Sequence, residues 1–452
     1  MGSPTSAVPD GSDNKRQQEA AGALQTNVDA QIRAANPSYL HDALRHRTPR
    51  STASRRPRYS VVIPYYNRLP YLERTLKALA DQELGSDLFE VVIASMECSE
   101  ALARTIDNMP PHLRVRCIMT REPWNVSRAR NLAFAHSEGE ILVLLDADML
   151  LPRSFLRTLD EQYRKEMYEC VLVGQMLGYD CDEEVTEDHL LPYEYYRERH
   201  LASNCREGLN FDSRWTSKRK LPWSLCFSAL MVISKTLIAS HELFFDQTFK
   251  GWGGEDLEWG YRIHRSGISI VLADDLWGIH VPHSRDVRKN HFERDLNYAR
   301  FLAKWPCFEV ELVTCFGDPS ANELADQHAL TLDVVRDGQA VSLLEIDTGR
   351  GRCIVLGAII GPDGAWLNRT NAPALSEARL IRPIPILGIR LPYRSQSLQA
   401  GYFLDPLRRA PESIQRLIRS ELRRVCLETH FSGAGEVTGN GPVLTSVRAR
   451  CR

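Results

Sequence analysis

Short aliphatic runs alternate with stretches whose apolar positions recur every three to four residues. Tyr59-Ser60-Val61-Val62-Ile63-Pro64 is a compact β-branched run and predicts a buried strand. A helix is expected from Pro70, with Leu72, Leu76 and Leu79 on one face and proline in the first turn. Phe89 to Ala94 predicts a second strand, Val115 to Ile118 a third, and Ile141 to Leu145 a fourth that ends on Asp146. Between the last two, Ser127 can cap a helix running to about Ser137, with Gly139 as its stop. Strands that alternate with helices predict an α/β fold with a mostly parallel sheet covered on both faces. Ligands on such sheets bind beyond the carboxyl ends of the strands. That rule places Pro64 to Arg68 and Asp146 to Asp148 on one rim.

The pattern continues with interruptions. Glu183 to Lys220 is polar, aromatic and irregular, which suits a lid or an acceptor loop. Leu225 to Ile233 reads as a strand, Glu255 to about Arg265 as a helix stopped by Gly267, and Ile268 to Leu272 as another strand. The character shifts after Phe308. Val341 to Ile346 and Cys353 to Ile360 predict strands, followed by a turn at Gly361-Pro362-Asp363-Gly364. Ala378 to Leu387 would be confined to a sheet edge by Pro383 and Pro385, and Glu412 to Leu427 is an amphipathic helix. The expected organisation is a flexible tail over 1–57, an α/β domain over 58–310 and a smaller accessory α+β domain over 311–452. Within the tail, Gln17 to Ala35 could form a helix, and the basic stretch Arg45 to Arg58 reads as a solvated linker.

Composition narrows the class. The 452 residues are 43% hydrophobic and 25% charged, ordinary for a globular chain with ample core material. A formal net charge of -2 gives no global field for nucleic acid or an anionic membrane. No apolar run is long enough to span a bilayer, and Met1 to Asn36 lacks the apolar stretch of a signal peptide. The 11 cysteines, odd in number and without a Cys-x-x-Cys pair, suit reduced thiols and a cytoplasmic protein.

Three segments carry candidate chemistry. Asp146-Ala147-Asp148 sets two carboxylates around a small residue at a strand end. One can meet a divalent cation that neutralises a departing diphosphate, while the other meets ribose or orients the loop. Alone, such a motif is most often a turn with two solvated acids. Gly251-Trp252-Gly253-Gly254-Glu255-Asp256 is more specific. A helix N-terminus explains Glu255 and Asp256, but not the indole and the paired glycines. The glycines admit close backbone approach, Trp252 offers a platform for a sugar face, and Asp256 can accept the proton of an attacking hydroxyl. His280-Val281-Pro282-His283-Ser284-Arg285-Asp286 places two imidazoles downstream that can complete a metal shell. Most of the 13 histidines will be ordinary hydrogen-bonded residues.

Together these segments resemble a known family. Val61-Val62-Ile63-Pro64-Tyr65-Tyr66-Asn67-Arg68 with Asp146-Ala147-Asp148 looks like the GT-A fold of family 2 glycosyltransferases. Asn125-Val126-Ser127-Arg128-Ala129-Arg130-Asn131 resembles the helix start that lies between those motifs. The glycine-rich segment matches one in β-1,4-galactosyltransferases and bacterial chondroitin polymerases, and His283-Ser284-Arg285-Asp286 resembles a metal-binding stretch of the former. The likeness covers roughly 58–310 and keeps the family's order.

The resemblance implies a metal held by Asp148 and His283, with His280 near the place of a further ligand. Asp146 would support the nucleotide and Arg68 the donor phosphates, with Pro64, Tyr66 and Arg128 in the segments that face the nucleotide. Trp252 would line the sugar site, Glu255 would hold hydroxyls, and Asp256 would be the base of an inverting displacement. Mn2+, or Mg2+ in its place, and a UDP-sugar are the implied cofactor and donor, with a galactose or N-acetylhexosamine type sugar favoured. Where family members carry an acidic run after the second strand, this chain reads Ser95-Met96-Glu97-Cys98-Ser99, and Glu97 is the candidate substitute. The accessory domain has no counterpart. It could present an acceptor (a glycan, a peptide or a small natural product), form a homo-oligomer, or cover a sheet face. Two other classes compete: a degenerate sugar- or nucleotide-binding protein on the same fold, and a nucleotidyltransferase. The second ranks last, because Tyr65 to Arg68 lacks the glycines of a phosphate loop.

Overall fold

Val61 and Ile63 face one side of the central strand and Val62 faces the other, and all three are fully buried. The two-sided burial expected from the apolar run is therefore present. The computed structural model of the chain describes residues 30–31, 44–47, 56–163, 169–178, 190–198, 212–369, 375 and 378–431. The expected helix over Gln17–Ala35 lies outside these apart from Ala30 and Gln31, and so does much of Glu183–Lys220. The chain divides into two units, one running to Thr216 and including Pro222–Arg294, the other made of Ser217–Leu221 and the residues from Asp295 onward.

The first unit holds a sheet of nine strands among the described residues: β1 (Leu44–Arg47), β2 (Tyr59–Tyr65), β3 (Phe89–Ser95), β4 (Val115–Met119), β5 (Ile141–Leu145), β6 (Met149–Leu150), β7 (Cys170–Leu177), β8 (Leu230–Ser234) and β9 (Ser269–His280). The order is β1-β4-β3-β2-β5-β8-β7-β9-β6. Strands β4, β3, β2 and β5 run parallel, as the alternation predicted. Strand β8 is antiparallel to both its neighbours, β1 to β4, and β6 to β9, so the sheet is mixed rather than parallel throughout. On one face lie Leu72, Leu76 and Leu79 of the helix Leu69–Ala80, together with Leu102, Ile106 and Phe155. The other face is covered by Ala129, Leu132, Ala133 and Phe134 of the helix Val126–His136 and by Trp259 and Ile263 of Glu255–Arg265. Burying each large aliphatic side chain contributes about 1.5–3 kcal/mol.

Several boundaries differ from expectation. Leu44–Arg47, inside the expected tail, pairs with the free edge of β4 through backbone hydrogen bonds that composition does not report. The helix expected to be capped by Ser127 is capped by Asn125, whose side chain accepts the Arg128 N–H at 2.8 Å, while Ser127 is buried. The expected strand over Leu225–Ile233 begins only at Leu230, after a 3-10 turn at Pro222–Leu225. Strand β9 runs past Leu272 to His280, because its second half pairs with β7 and β6.

The second unit begins earlier than the compositional shift, and the division falls inside the helix Val287–Lys304. Ser217–Leu221 belongs to it: the Leu221 N–H donates to the buried Asn322 side chain at 2.8 Å. Its sheet orders β12 (Arg379–Ile384), β10 (Ala340–Asp347), β11 (Arg352–Ile360), β13 (Leu398–Phe403) and β14 (Cys426–Phe431). Strand β12, with Pro383, sits on the edge as the prolines required. The helices Phe308–Phe316 and Asp318–Arg336 and the strands β13 and β14 were not anticipated. No helix among the described residues is long and apolar enough to cross a membrane, and the described cysteines are free thiols.

Candidate active site

The carboxyl ends of β2 and β5 are neighbours in the parallel part of the sheet, which brings Tyr66 to Arg68 beside Asp146 to Asp148. The turn after β5 is held from three sides. The Asp146 N–H donates to the Ala229 carbonyl at 3.1 Å, the Thr75 hydroxyl donates to the Ala147 carbonyl at 2.8 Å, and the Val281 N–H donates to the Asp148 carbonyl at 2.9 Å. Strand β6 pairs Met149 with His280, so the last residue of β9 stands next to Asp148.

Asp148, His280 and His283 form a cluster whose ligand-type atoms all lie within 4.8 Å of one another. His283 Nδ1 is 3.3 Å from Asp148 Oδ2, and His280 Nε2 is 3.7 Å from Asp148 Oδ1. The carboxylate is 1% exposed, and its Oδ1 is buried with no hydrogen-bond partner. Burial disfavours the Asp148 anion, but its interactions with His280, Arg68 and His283 outweigh that and hold the carboxyl below its ordinary value. Burial also lowers both histidines, His283 to about 4, so each ring keeps a lone pair at neutral pH. One carboxylate and two neutral imidazoles fit a divalent cation. The Arg68 guanidinium pairs with Asp148 Oδ2, and its side chain is 40% exposed on the open side.

The glycine-rich segment reaches the same rim through Glu255, which shares Arg130 with Asp146. Gly251, Gly253 and Gly254 all have positive φ, from 74° to 90°, which a side chain would resist. The helix Glu255–Arg265 starts at this turn, as expected, with Glu255 buried and Trp252 39% exposed. Burial and the neighbouring Glu255 charge push the Asp256 carboxyl up to about 8. The joint between this helix and Asp146 is Arg130. Its guanidinium donates to Glu255 Oε1 at 3.0 Å, lies 3.4 Å from Asp146 Oδ1, and sits 5.0 Å from the Phe245 ring centroid. Burial raises the Asp146 carboxyl, and the Arg130 charge opposes that rise.

Among the residues singled out from the sequence, Arg68, Asp148, His280 and His283 meet directly. Asp146 and Glu255 meet through Arg130. Tyr66 is 44% exposed and stacks on Trp124 with ring centroids 5.1 Å apart. Pro64 is buried within β2, and Glu97 follows β3 with its N–H on the Ser95 hydroxyl at 3.3 Å. Arg128 pairs with Glu122 at 2.6 Å. Arg130 is not among the residues that the motifs single out, although an arginine enclosed by Ala129, Leu132, Ala133 and Phe134 is a usable signal for a buried cation. Nor do the motifs single out Asn125 and Asn131 by role, yet their side-chain amides bond the backbone at Gln247, Phe249 and Phe245 and so hold the approach to the glycine turn.

Residues 60–220 match the family described as Glycosyl transferase family 2. Over 269 residues the chain is 30% identical to validoxylamine A glucosyltransferase of Streptomyces hygroscopicus subsp. jinggangensis, covering 57% of this chain and 63% of that protein. It is 26% identical over 233 residues to chondroitin synthase of Pasteurella multocida, covering 48% of this chain and 24% of the relative. The chain thus spans less than two thirds of the length of these curated relatives. Among solved structures, the mannosyltransferase PcManGT from Pyrobaculum calidifontis, in complex with GDP-Man and Mn2+, aligns with a TM-score of 0.40 at 17% identity, covering 69% of this chain and 85% of that one.

Proposed function

We propose that this chain, which carries a glycosyl transferase family 2 domain, transfers a sugar from a nucleotide-sugar donor to an acceptor hydroxyl with inversion at the anomeric carbon. The observation that carries the reading is the grouping of Asp148, His280 and His283 within 4.8 Å, on the rim where the Glu255–Arg265 helix also begins. Asp148, His280 and His283 would hold Mn2+ or Mg2+, which when bound supplies charge neutralisation to the departing diphosphate. Arg68 would contact the phosphates, and Asp146, fixed by Arg130, would support the nucleotide together with Pro64, Tyr66, Glu97 and Arg128. Trp252 would lie against the sugar, and Glu255 would orient hydroxyls.

Asp256 is the base in this reading. The acceptor oxygen attacks the anomeric carbon from the face opposite the diphosphate, and its proton passes to the Asp256 carboxylate. The bond between that carbon and the diphosphate oxygen breaks, and its electron pair leaves with the nucleotide. A single displacement of this kind inverts the centre. UDP-sugars of the galactose and N-acetylhexosamine type are the first donors to try. The relative named validoxylamine A glucosyltransferase adds a glucosyl donor and validoxylamine A as acceptor to the trial set. The residues from 311 onward would serve as an accessory domain.

Calorimetry tests the metal and donor together. UDP should bind more tightly with Mn2+ than with EDTA, and equal affinity in the two would count against the reading. A thermal-shift panel of UDP-, GDP- and dTDP-sugars then identifies the donor, because a ligand selective for the folded state raises its apparent stability.

A further inference from the structure

The turn that carries Trp252 is built from residues with little conformational preference of their own. Gly251, Gly253 and Gly254 adopt φ of 74°, 83° and 90°, and glycine enters such conformations and leaves them equally readily. An anchor from outside the turn is needed to select one shape. Glu293, on the helix Val287–Lys304, supplies it: Oε2 accepts the Trp252 N–H at 2.8 Å. The fit depends on the absence of a side chain at Gly251, where a Cβ would stand 2.4 Å from Glu293 Cδ and 2.5 Å from Oε2. The other carboxylate oxygen, Oε1, is 4.0 Å from Lys289 Nζ. The Arg294 stem lies beneath the next glycine, 3.6 Å from where a Gly253 Cβ would be. The same helix starts just after His283, and the Asp286 side chain caps it by accepting the Lys289 N–H at 3.0 Å. A continuous path of backbone and one carboxylate therefore runs from His283 to the Trp252 turn, and onward to Glu255 and Asp256.

We propose that Glu293 is a positioning residue for the glycosyl transfer reaction. It holds the Gly251–Gly254 turn so that the Trp252 indole, and the helix start that follows it, keep a fixed place relative to His283. The proposal rests on the transferase reading for its kinetic consequence, but not for its structural one. Glu293 touches no reacting atom in this account. Its contribution is geometric, and a small misplacement of a reacting group is enough to lower a rate by one or two powers of ten.

The test compares Glu293→Ala, Glu293→Gln and Lys289→Ala in the full chain. Hydrogen exchange over the peptide that contains Trp252 reads the anchor directly, whatever the protein catalyses. Glu293→Ala should speed exchange there, while Glu293→Gln, which keeps an acceptor oxygen, and Lys289→Ala should leave it near the wild-type rate. Unchanged exchange in Glu293→Ala overturns the proposal. So does Glu293→Gln behaving like Glu293→Ala, which would assign the effect to the charge pair with Lys289. In transfer assays Glu293→Ala should lower kcat by about tenfold or more, with UDP affinity and melting temperature close to wild type. A parallel loss of UDP affinity and melting temperature would show a merely structural role and overturn it too. If the wild-type chain transfers no sugar from any donor, the transferase reading fails, and the exchange result still decides whether Glu293 anchors the turn.

Discussion

The Arg130 guanidinium and the Glu255 carboxylate meet at 3.0 Å, with only 5% and 8% of their side chains exposed. Arg130 reaches Asp146 with its other terminal nitrogen, so one buried cation joins the end of β5 to the start of the helix Glu255–Arg265. Glu255 Oε2 has no hydrogen-bond partner, and Glu255 therefore depends on Arg130 for its compensation. Removing one member of a buried pair leaves the other charge stranded, at a cost of roughly 3–5 kcal/mol. Arg130→Met should destabilise the chain by about that amount in urea denaturation. The double variant Arg130→Met/Glu255→Gln should be less destabilised than Arg130→Met alone, since it strands one carboxylate, Asp146, instead of two. Equal stability of the two variants would mean that the pair does not carry the coupling.

The raised Asp256 carboxyl makes a prediction in pH. Its folded value is about 8, set first by burial and then by the Glu255 charge. A base must be ionised to take a proton, so kcat/KM should climb with pH and level off above roughly 8. The stability effect runs the other way. The folded state holds this proton more tightly than the unfolded chain, where an aspartate titrates near ~3.9. The associated stability is present below the unfolded value and is lost as pH rises through the folded one. Asp256→Asn should therefore abolish transfer and yet raise the melting temperature relative to wild type more at pH 9 than at pH 5. A flat difference across that range would argue against the raised value.

The metal cluster predicts a particular pH tolerance. Burial keeps His283 neutral down to about 4 and lowers His280 as well. Protons should therefore compete poorly with Mn2+ across the neutral range, and calorimetric affinity should change little between pH 8 and pH 6. His283→Ala and Asp148→Asn should each weaken Mn2+ binding by tenfold or more, on the order of the loss seen when ligand shells are disturbed. Wild-type affinity in either variant would remove that residue from the site.

In the second unit, Glu311 is fully buried and accepts the N–H groups of Leu387 and Gly388 at 2.7 and 2.6 Å and that of Arg390 at 3.4 Å. Glu311→Ala would leave these donors without an acceptor, each costing about 1–3 kcal/mol when buried. The expected result is a loss of roughly 3 kcal/mol or more in denaturant unfolding. Hydrogen exchange should also become faster over 386–391. A variant that keeps wild-type exchange in that segment would show that other contacts hold it.

Much of the site was legible because the chemistry lies in short contiguous motifs at element ends. Asp146 follows an apolar run, and Glu255 and Asp256 follow paired glycines, so local pattern was enough to place them. Arg128 and Arg130 show the limit. Both lie on the helix Val126–His136, two positions apart, and their neighbours in sequence are similar. The resemblance names Arg128, whose side chain pairs with Glu122, while the buried Arg130 joins the two motifs. The apolar residues around Arg130 mark it as buried, but which distant segments it meets depends on packing across the sheet, and the local sequence does not encode that.

The amino-acid sequence alone determined the parallel strands β2 to β5, the helix Glu255–Arg265 and the identities of the chemical groups. Those features depend on local periodicity and on glycines whose conformations few other residues can adopt. Tertiary structure decided the rest: that β9 runs on to set His280 against Met149, that His283 comes within 3.3 Å of Asp148, and that Glu293 fills the space left by Gly251. Each of these joins residues far apart in the chain. Their proximity follows from strand pairing and close packing, which no window of sequence contains.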